Sequence, residues 1–222
     1  MKSQDYPDII EAHLERLLDT DGAAPELDEA MRYAVLGGGK RLRPSLLLLT
    51  ADALSLPPSR EGAALDLAAA IELIHSYSLV HDDLPCMDDD SMRRGKPAVH
   101  VRYGYAEAVL VGDALLNLAY ETILGAIESA SAADRQAVAG AGSIIARLAG
   151  RNGMVAGQLF DIKGTGTAQT DPADERTTED RRSQLITLQR LKTGGLLSAP
   201  VLAAARLCGA ADEVTALLGD YA

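Results

Sequence analysis

The sequence contains no Trp, a single Phe and only two Cys in 222 residues. Two cysteines, Cys86 and Cys208, are too few for a disulfide framework, and the polar N-terminus does not resemble a leader peptide. We therefore expect a cytoplasmic protein. Aromatic residues make up only 4% of the chain, and no stretch alternates convincingly between apolar and polar positions. This composition favours helices over strands almost everywhere.

Basic residues are also scarce, with 21 Lys and Arg against 32 Asp and Glu and a net charge of −11. Nucleic acid is therefore an unsuitable partner, because affinity for a polyanion comes from clustered cations. The most apolar run, residues 45–56, contains Asp52 and is shorter than the roughly 20 residues that span a bilayer, so we expect no stable membrane insertion. Hydrophobic residues make up 47% of the chain, enough for one domain with a substantial aliphatic core.

Apolar residues recur at helical spacing along most of the chain, which predicts an all-α bundle of about eight to ten elements. Proline and glycine mark the ends of several predicted helices. The predicted helices cover 25–36, 44–54, 61–81, 106–128, 132–160, 184–207 and 212–221. The polar segment 164–180 predicts a mobile surface loop, and neither a repeat nor a domain boundary is visible.

Five carboxylates lie within nine residues directly after an apolar helix. They belong to the run His81-Asp82-Asp83-Leu84-Pro85-Cys86-Met87-Asp88-Asp89-Asp90. Carboxylates at a helix C-terminus oppose the macrodipole and repel one another, so this cluster needs either screening by solvent or a divalent cation. Oxygen ligands alone favour Mg²⁺ over zinc. Taken by itself, such a run is more often a solvated loop than a metal site.

The basic residues that are of interest form two short clusters. Arg93-Arg94-Gly95-Lys96 follows the acidic run, and Gly37-Gly38-Gly39-Lys40-Arg41-Leu42-Arg43-Pro44 joins two predicted helices. Carboxylates that bind metal beside guanidiniums that bind phosphate suit a diphosphate substrate. The glycine cluster is not a Walker loop, because no Ser or Thr follows Lys40. A surface ion-pair network and a helix cap with solvated cations are the alternative interpretations of the two clusters.

Helix geometry places His75 and Asp82 on nearly the same face, because seven residues are about two turns. One helix could thus present an imidazole and a carboxylate to the same cleft, although a single His is more often a core residue. Two weaker signals follow. Gln158 and Asp161 share a helical face, and Lys192-Thr193 places a cation in an apolar helix, where it needs an anion or solvent.

These motifs, in this order across essentially the whole chain, closely resemble those of the trans-polyprenyl diphosphate synthases of the bacterial short-chain type. The matching segments are 38–44, His75, 82–88, 93–97, Gly157-Gln158 and Lys192-Thr193. The resemblance implies an all-α isoprenoid-synthase bundle around a central cavity, usually in a homodimer. It also implies condensation of isopentenyl diphosphate with an allylic diphosphate, dimethylallyl or geranyl, by Mg²⁺-assisted ionisation.

The resemblance further implies roles for individual residues. Isopentenyl diphosphate would be bound by Lys40, Arg43, His75 and Arg94. Mg²⁺ would be ligated by Asp82 and Asp88, and the allylic diphosphate would be held directly by Arg93, Lys192 and Thr193. Asp83 would support the metal ligands, as would Gln158 and Asp161. Catalysis would then be electrostatic stabilisation of the departing pyrophosphate by the metal and by four residues, Asp82, Asp88, Arg93 and Lys192.

The resemblance also bears on product length, which this family sets by bulk four and five residues before the first Asp, here Ser78 and Tyr77. An aromatic residue there, with two extra residues in the Asp-rich motif, resembles the subtype that makes farnesyl rather than geranylgeranyl diphosphate. Tyr77 could equally be a plain core tyrosine, because it lies about 140° around the helix from Asp82.

One family feature is missing from the sequence. A second Asp-rich motif, typically preceded by Phe-Gln, does not occur between Lys192 and Ala222. We therefore expect a single polyprenyl-synthase domain, residues 1–222, that is incomplete at its C-terminus, lacks the last helices of the fold, binds diphosphates weakly and turns over poorly.

Other functions remain open at this stage. The chain could be a noncatalytic or truncated prenyl-synthase subunit that binds diphosphates. It could also be a helical metal-dependent phosphohydrolase, although that class needs several His ligands and the chain has only four His. A terpene cyclase would share the Asp-rich motif but would not need Lys40, Arg43 and Arg94.

Overall fold

The computed structural model describes residues 5–19, 22–167 and 178–222. Eleven α-helices occupy most of these residues, and a two-stranded hairpin is inserted between the fourth and fifth. The helices are α1 Tyr6–Leu18, α2 Pro25–Val35, α3 Leu42–Ala53, α4 Glu61–Asp82, α5 Val99–Tyr103, α6 Tyr105–Ser129, α7 Arg135–Ala149, α8 Met154–Thr167, α9 Thr178–Gln189, α10 Gly195–Cys208 and α11 Asp212–Tyr221. The strands are β1 Met92–Arg93 and β2 Lys96–Pro97, and a π-helical turn, Arg190–Gly194, joins α9 to α10.

The all-α prediction is confirmed, and the predicted bounds of α2, α4, α6 and α11 agree with the structure to within one or two residues. Helix α3 begins at Leu42, two residues before the predicted start at Pro44. Pro44 is tolerated inside the first turn, because the first four N–H groups of a helix have no intrahelical acceptor.

Two of the predicted segments were wrong. The single helix expected over 132–160 is divided into α7 and α8 at 150–153, where a Cβ atom on Gly153 would overlap the carbonyl group of Leu148. The loop expected over 164–180 is contradicted at both ends, because α8 continues to Thr167 and α9 begins at Thr178. The remainder of that predicted loop, residues 168–177, lies outside the described residues.

Helix α4 is the central element of the core. It packs against α3, α6, α7 and α10, and a run of three alanines, Ala68–Ala70, is fully buried along it. A helix with apolar residues around most of its circumference needs to be buried, and here the neighbouring helices bury it. Because α4 ends at Asp82, its last turns connect the core to the acidic run that follows.

By length and hydropathy alone, two helical segments in the described part of the chain could cross a membrane, Pro58–Asp82 and α6. Neither of them is the run 45–56 that the sequence analysis considered. In the first segment, 67% of the apolar window is buried against other helices. Core helices of globular proteins pass the same test, so these two segments are weak evidence for a membrane protein.

Candidate active site

The acidic run after α4 is a compact turn. The amide of Leu84 donates to the carbonyl of His81 at 3.2 Å, and the amide of Asp88 donates to the carbonyl of Asp82 at 2.9 Å. These bonds satisfy carbonyl groups at the helix end, and Pro85 cannot continue the helix. The chain therefore folds back and brings Asp88 towards Asp82.

Asp82 lies in a crowded, half-buried environment. Burial, together with the negative charges of Asp88 and Asp83, raises its pKa to about 6, although Lys192 and Arg93 act in the opposite direction. The carboxylate is therefore poorly solvated and close to charges of both signs. Such a group gains from binding a cation through its oxygens.

Asp83, the next residue, is only 2% exposed. Its Oδ1 and Oδ2 atoms accept hydrogen bonds from Arg93 Nε at 3.0 and 3.1 Å, and Arg93 Nη2 donates to Asp90 at 3.2 Å. Asp83 thus fixes the Arg93 guanidinium beside the acidic turn. The predicted roles, in which Asp83 supports the metal ligands and Arg93 holds the allylic diphosphate, stay predictions.

Arg94 lies at the tip of the hairpin. Arg94 and Gly95 have φ angles of +52° and +76°, and a type I′ turn requires positive φ at both central residues. The Arg94 guanidinium donates from Nη1 to the carbonyl of Gly38. The two basic clusters, which are far apart in sequence, therefore meet in the structure.

Gly39 permits this meeting. Its φ angle is +142°, and a Cβ atom at this position would lie 2.8 Å from Arg94 Nη1. A side chain would therefore strain the backbone and displace the guanidinium. Lys40, the next residue, is exposed.

Arg43 and His75 form a second contact in the same region. Arg43 Nη1 donates to His75 Nε2 at 3.3 Å, so the imidazole accepts at Nε2 and holds its proton on Nδ1. Burial, followed by the charges of Arg43 and Arg94, lowers the pKa of His75 to about 3, and the imidazole is neutral. Arg43 Nε is buried and has no hydrogen-bond partner among the described residues. An anion could satisfy this donor.

Lys192, on the π-helical turn between α9 and α10, lies close enough to the acidic turn for its charge to act on Asp82. Its ammonium group donates to Asp161. Burial lowers the pKa of Lys192, but the hydrogen bond with Asp161 and the negative charge of Asp82 together raise it by more, so the pKa lies above its ordinary value. Thr193 is exposed on the same π-helical turn. Turns of this kind are rare and occur frequently at functional sites.

Gly157 and Gln158 lie where α8 packs against this turn. A Cβ atom on Gly157 would be 2.5 Å from the Cα atom of Lys192, so the two backbones are in direct contact. Neither amide atom of the buried Gln158 side-chain group has a hydrogen-bond partner within the described parts of the chain. The structure thus gives Gly157 a packing role that the sequence motif alone did not explain.

A small cavity of about 40 Å³ lies beneath the hairpin, between Tyr33, Ser76 and Arg93. Ligand pockets are usually some 300–1,000 Å³ in volume. This cavity is therefore too small to hold a diphosphate ester.

The two predicted chain-length residues lie on α4. Tyr77 is buried, and its ring packs edge to face against His81 with centroids 5.8 Å apart. Burial, together with the neighbouring Tyr120 and Asp82, raises the pKa of Tyr77 to about 12. Ser78 donates from Oγ to the carbonyl of His75 at 2.8 Å. The chain-length roles of both residues stay predictions.

Replacing Tyr77 with Ala should lengthen the product if this ring forms the floor beneath the growing chain. The expected result is a shift towards longer prenyl products, measured by chromatography of the dephosphorylated prenols. Tyr77→Phe keeps the bulk and should keep the product. A core tyrosine without this role would instead lose thermal stability in Tyr77→Ala, by about 3 kcal/mol or more, with product length unchanged.

Sequence reasoning missed one part of the site, the buried ion pair between Arg41 and Glu72, with Nη1 2.8 Å from Oε1. A signal was present, because Glu72 interrupts the apolar run around it and a buried carboxylate needs a cation. The sequence could not show which cation supplies it.

An all-helical bundle whose central helix ends in an acidic turn, beside a lysine and two arginine-bearing loops, defines a class of protein suited to bind diphosphates. A family model described as polyprenyl synthetase matches residues 24–222. The chain belongs to this family.

Individual relatives agree with this assignment. The chain is 38% identical over 218 residues to a farnesyl diphosphate synthase of Geobacillus stearothermophilus, covering 96% of this chain and 66% of that protein. It is 39% identical over 207 residues to large subunit 1 of the heterodimeric geranylgeranyl pyrophosphate synthase of Arabidopsis thaliana, chloroplastic, covering 91% of this chain and 53% of that protein. The chain thus spans between half and two thirds of the length of these curated relatives.

Solved structures give the same result. The apo crystal structure of an FPP/GFPP synthase from Zymomonas mobilis aligns with a TM-score of 0.84 and 38% identity, covering 99% of this chain and 74% of that one. The isoprenoid-synthase fold is therefore confirmed.

Proposed function

We propose that the protein is a prenyltransferase that condenses isopentenyl diphosphate with dimethylallyl or geranyl diphosphate to give farnesyl diphosphate. The observation that carries this proposal is the pair of anion-binding arrangements along α4. His75 contacts Arg43 in one, and Asp82 interacts with Lys192 in the other. Seven residues separate them, about 10 Å along a helix axis, which suits two diphosphates bound side by side.

The residues present fit Mg²⁺ as the metal. In the described ranges, no group of three or more His, Cys, Asp or Glu side chains could by itself hold a metal ion. Asp82 and Asp88 supply two carboxylates, and Mg²⁺ is usually bound by one or two carboxylates together with substrate phosphates. When bound, Mg²⁺ would stabilise the charge that develops on the departing pyrophosphate.

The chain's own residues then perform three tasks. Lys192 and Arg93 hold the allylic diphosphate, and their charges favour rupture of its C–O bond. Isopentenyl diphosphate is held by Lys40, Arg43, His75 and Arg94. The fixed positions of the two substrates allow the new C–C bond to form, and the proton released in this step passes to pyrophosphate.

Farnesyl is the product we propose, supported by the aromatic Tyr77 near the acidic turn. The relatives carry both farnesyl and geranylgeranyl names, so product length is the finer part of the proposal. We also propose a cytoplasmic homodimer. The outer face of α6 exposes Leu110 and Leu124, which supports a partner chain there.

The alternative of a His-dependent phosphohydrolase is disfavoured by where the imidazoles lie. His13 bonds to Asp66 and His81 to the carbonyl of Val109, whereas His75 bonds to Arg43. These three side chains make separate contacts on separate partners. They do not form a shared metal centre.

The test is an assay of the full-length gene product with radiolabelled isopentenyl diphosphate, geranyl diphosphate and Mg²⁺. We expect Mg²⁺-dependent labelling of farnesyl diphosphate that EDTA abolishes. Phosphate release without a new C–C bond would favour the phosphohydrolase. Binding of both diphosphates without turnover would favour the noncatalytic subunit.

A further inference from the structure

One buried arginine connects the glycine-rich loop to three helices. Arg41 is 3% exposed and has a left-handed backbone conformation with φ of 48°. Its Nε donates to Glu11 on α1 at 2.7 Å, Nη1 donates to Glu72 on α4 at 2.8 Å, and Nη2 donates to the carbonyl of Val35 at 2.8 Å. Val35 ends α2, so Arg41 also satisfies a carbonyl at that helix end.

This side chain cannot itself meet a substrate. Its guanidinium is buried, and each of its three nitrogens already donates to an acceptor within the protein. Burial lowers the pKa of Arg41, but the hydrogen bonds with Glu11 and Glu72 raise it by more. The residues around it face the other way. Lys40 is exposed, and Arg43 reaches His75.

Glu72 extends the same arrangement to the isopentenyl site. It lies three residues before His75, so both side chains project from neighbouring positions on one face of α4. Its negative charge also acts on Arg43 and Arg94, whose pKa values are lowered first by burial and partly restored by Glu72. A single carboxylate therefore anchors Arg41 and balances two cations that the isopentenyl site would use.

We propose that Arg41, held by Glu72 and Glu11, is a positioning residue that sets the place of Lys40 and Arg43 for isopentenyl diphosphate. This inference rests on the proposed function and concerns only one of its two substrates. Asp82 and Lys192 have no contact with Arg41 among the interactions of the described residues. The allylic substrate should therefore be affected little.

The test compares Arg41→Lys with Arg60→Lys. Arg60 is a matched clamp elsewhere in the fold, with Nε donating to Asp134 at 2.6 Å and Nη1 to the carbonyl of Leu207 at 2.6 Å. Lysine keeps the charge but loses the planar fork of donors. We expect Arg41→Lys to raise the KM for isopentenyl diphosphate about tenfold, while the KM for the allylic diphosphate stays within twofold of wild type.

Arg60→Lys should lower the thermal midpoint and leave both KM values unchanged. Equal changes in the two KM values of Arg41→Lys, or no change in either, would overturn the positioning role while the wild-type activity stands. A wild-type protein that neither binds isopentenyl diphosphate in calorimetry nor forms product would instead overturn the proposed function, and the inference with it.

A second variant keeps the inference testable if Arg41→Lys does not fold. Glu11 is partly exposed, so Glu11→Gln should fold, and it should raise the isopentenyl KM about threefold by weakening one of three bonds. An isopentenyl KM equal to that of wild type in a folded Glu11→Gln variant would contradict the proposal.

Discussion

Replacing Asp82 with Asn should reduce the condensation rate at least about a thousandfold, because the amide cannot supply the negative charge that holds a divalent cation against the diphosphate. Asp88→Asn should act in the same direction. The measurement is the steady-state rate at saturating substrates across a Mg²⁺ titration. Because Asp82 is half-buried with a raised pKa, the variant should fold at least as well as the wild type.

Asp89→Asn is the matched control. Asp89 is exposed in the same acidic turn and has a φ angle of +55°, which asparagine also tolerates. We expect its rate to stay within twofold of wild type. Near-normal rates in both Asp82→Ala and Asp88→Ala would remove these two carboxylates from the metal role.

Replacing Gly157 with Ala is the second substitution with a large expected effect. Its Cβ atom would lie 2.5 Å from the Cα atom of Lys192, and backbone atoms cannot rotate away as a side chain does. Either α8 or the π-helical turn must move, at a cost of about 1–3 kcal/mol in the free energy of unfolding. Because Lys192 moves with the turn, we expect kcat to fall about a hundredfold.

Gly164→Ala provides the control on the same helix. A Cβ atom on Gly164 meets no atom of the described residues within 4 Å, and alanine favours a helix over glycine by about 1 kcal/mol. We expect unchanged kcat and equal or greater thermal stability for this variant. A Gly157→Ala protein with the stability and kcat of wild type would show that the close packing has no bearing on Lys192.

Much of the helical framework was predictable from local pattern. The alanine- and leucine-rich composition of α4, bounded by Pro58 and Pro85, was enough to place it, and its period put His75 and Asp82 on one face. The interruption at 150–153 did carry a local signal, which the prediction missed, because Gly150 and Asn152-Gly153 are turn residues and the close contact of Gly153 with the Leu148 carbonyl spans only five residues.

The candidate site depends on both local pattern and packing. Order and spacing of motifs were enough to nominate the acidic turn, the two basic clusters and Lys192, because residue types and short separations are local properties. Only packing brought Arg94 to Gly38 and Lys192 to Asp161. These contacts depend on which helices meet, which no short stretch of sequence specifies.

Arg41 and Arg43 illustrate this most clearly. In sequence they are two equivalent cations in one loop, and the scarcity of basic residues indicates only that each cation has a purpose. The tertiary structure separates them, because Glu11 and Glu72 arrive from α1 and α4 to bury Arg41 while Arg43 meets His75. The sequence by itself determined an acidic, aliphatic, all-helical chain of this family, whereas partners distant along the chain decided which charges are structural and which remain available to a substrate.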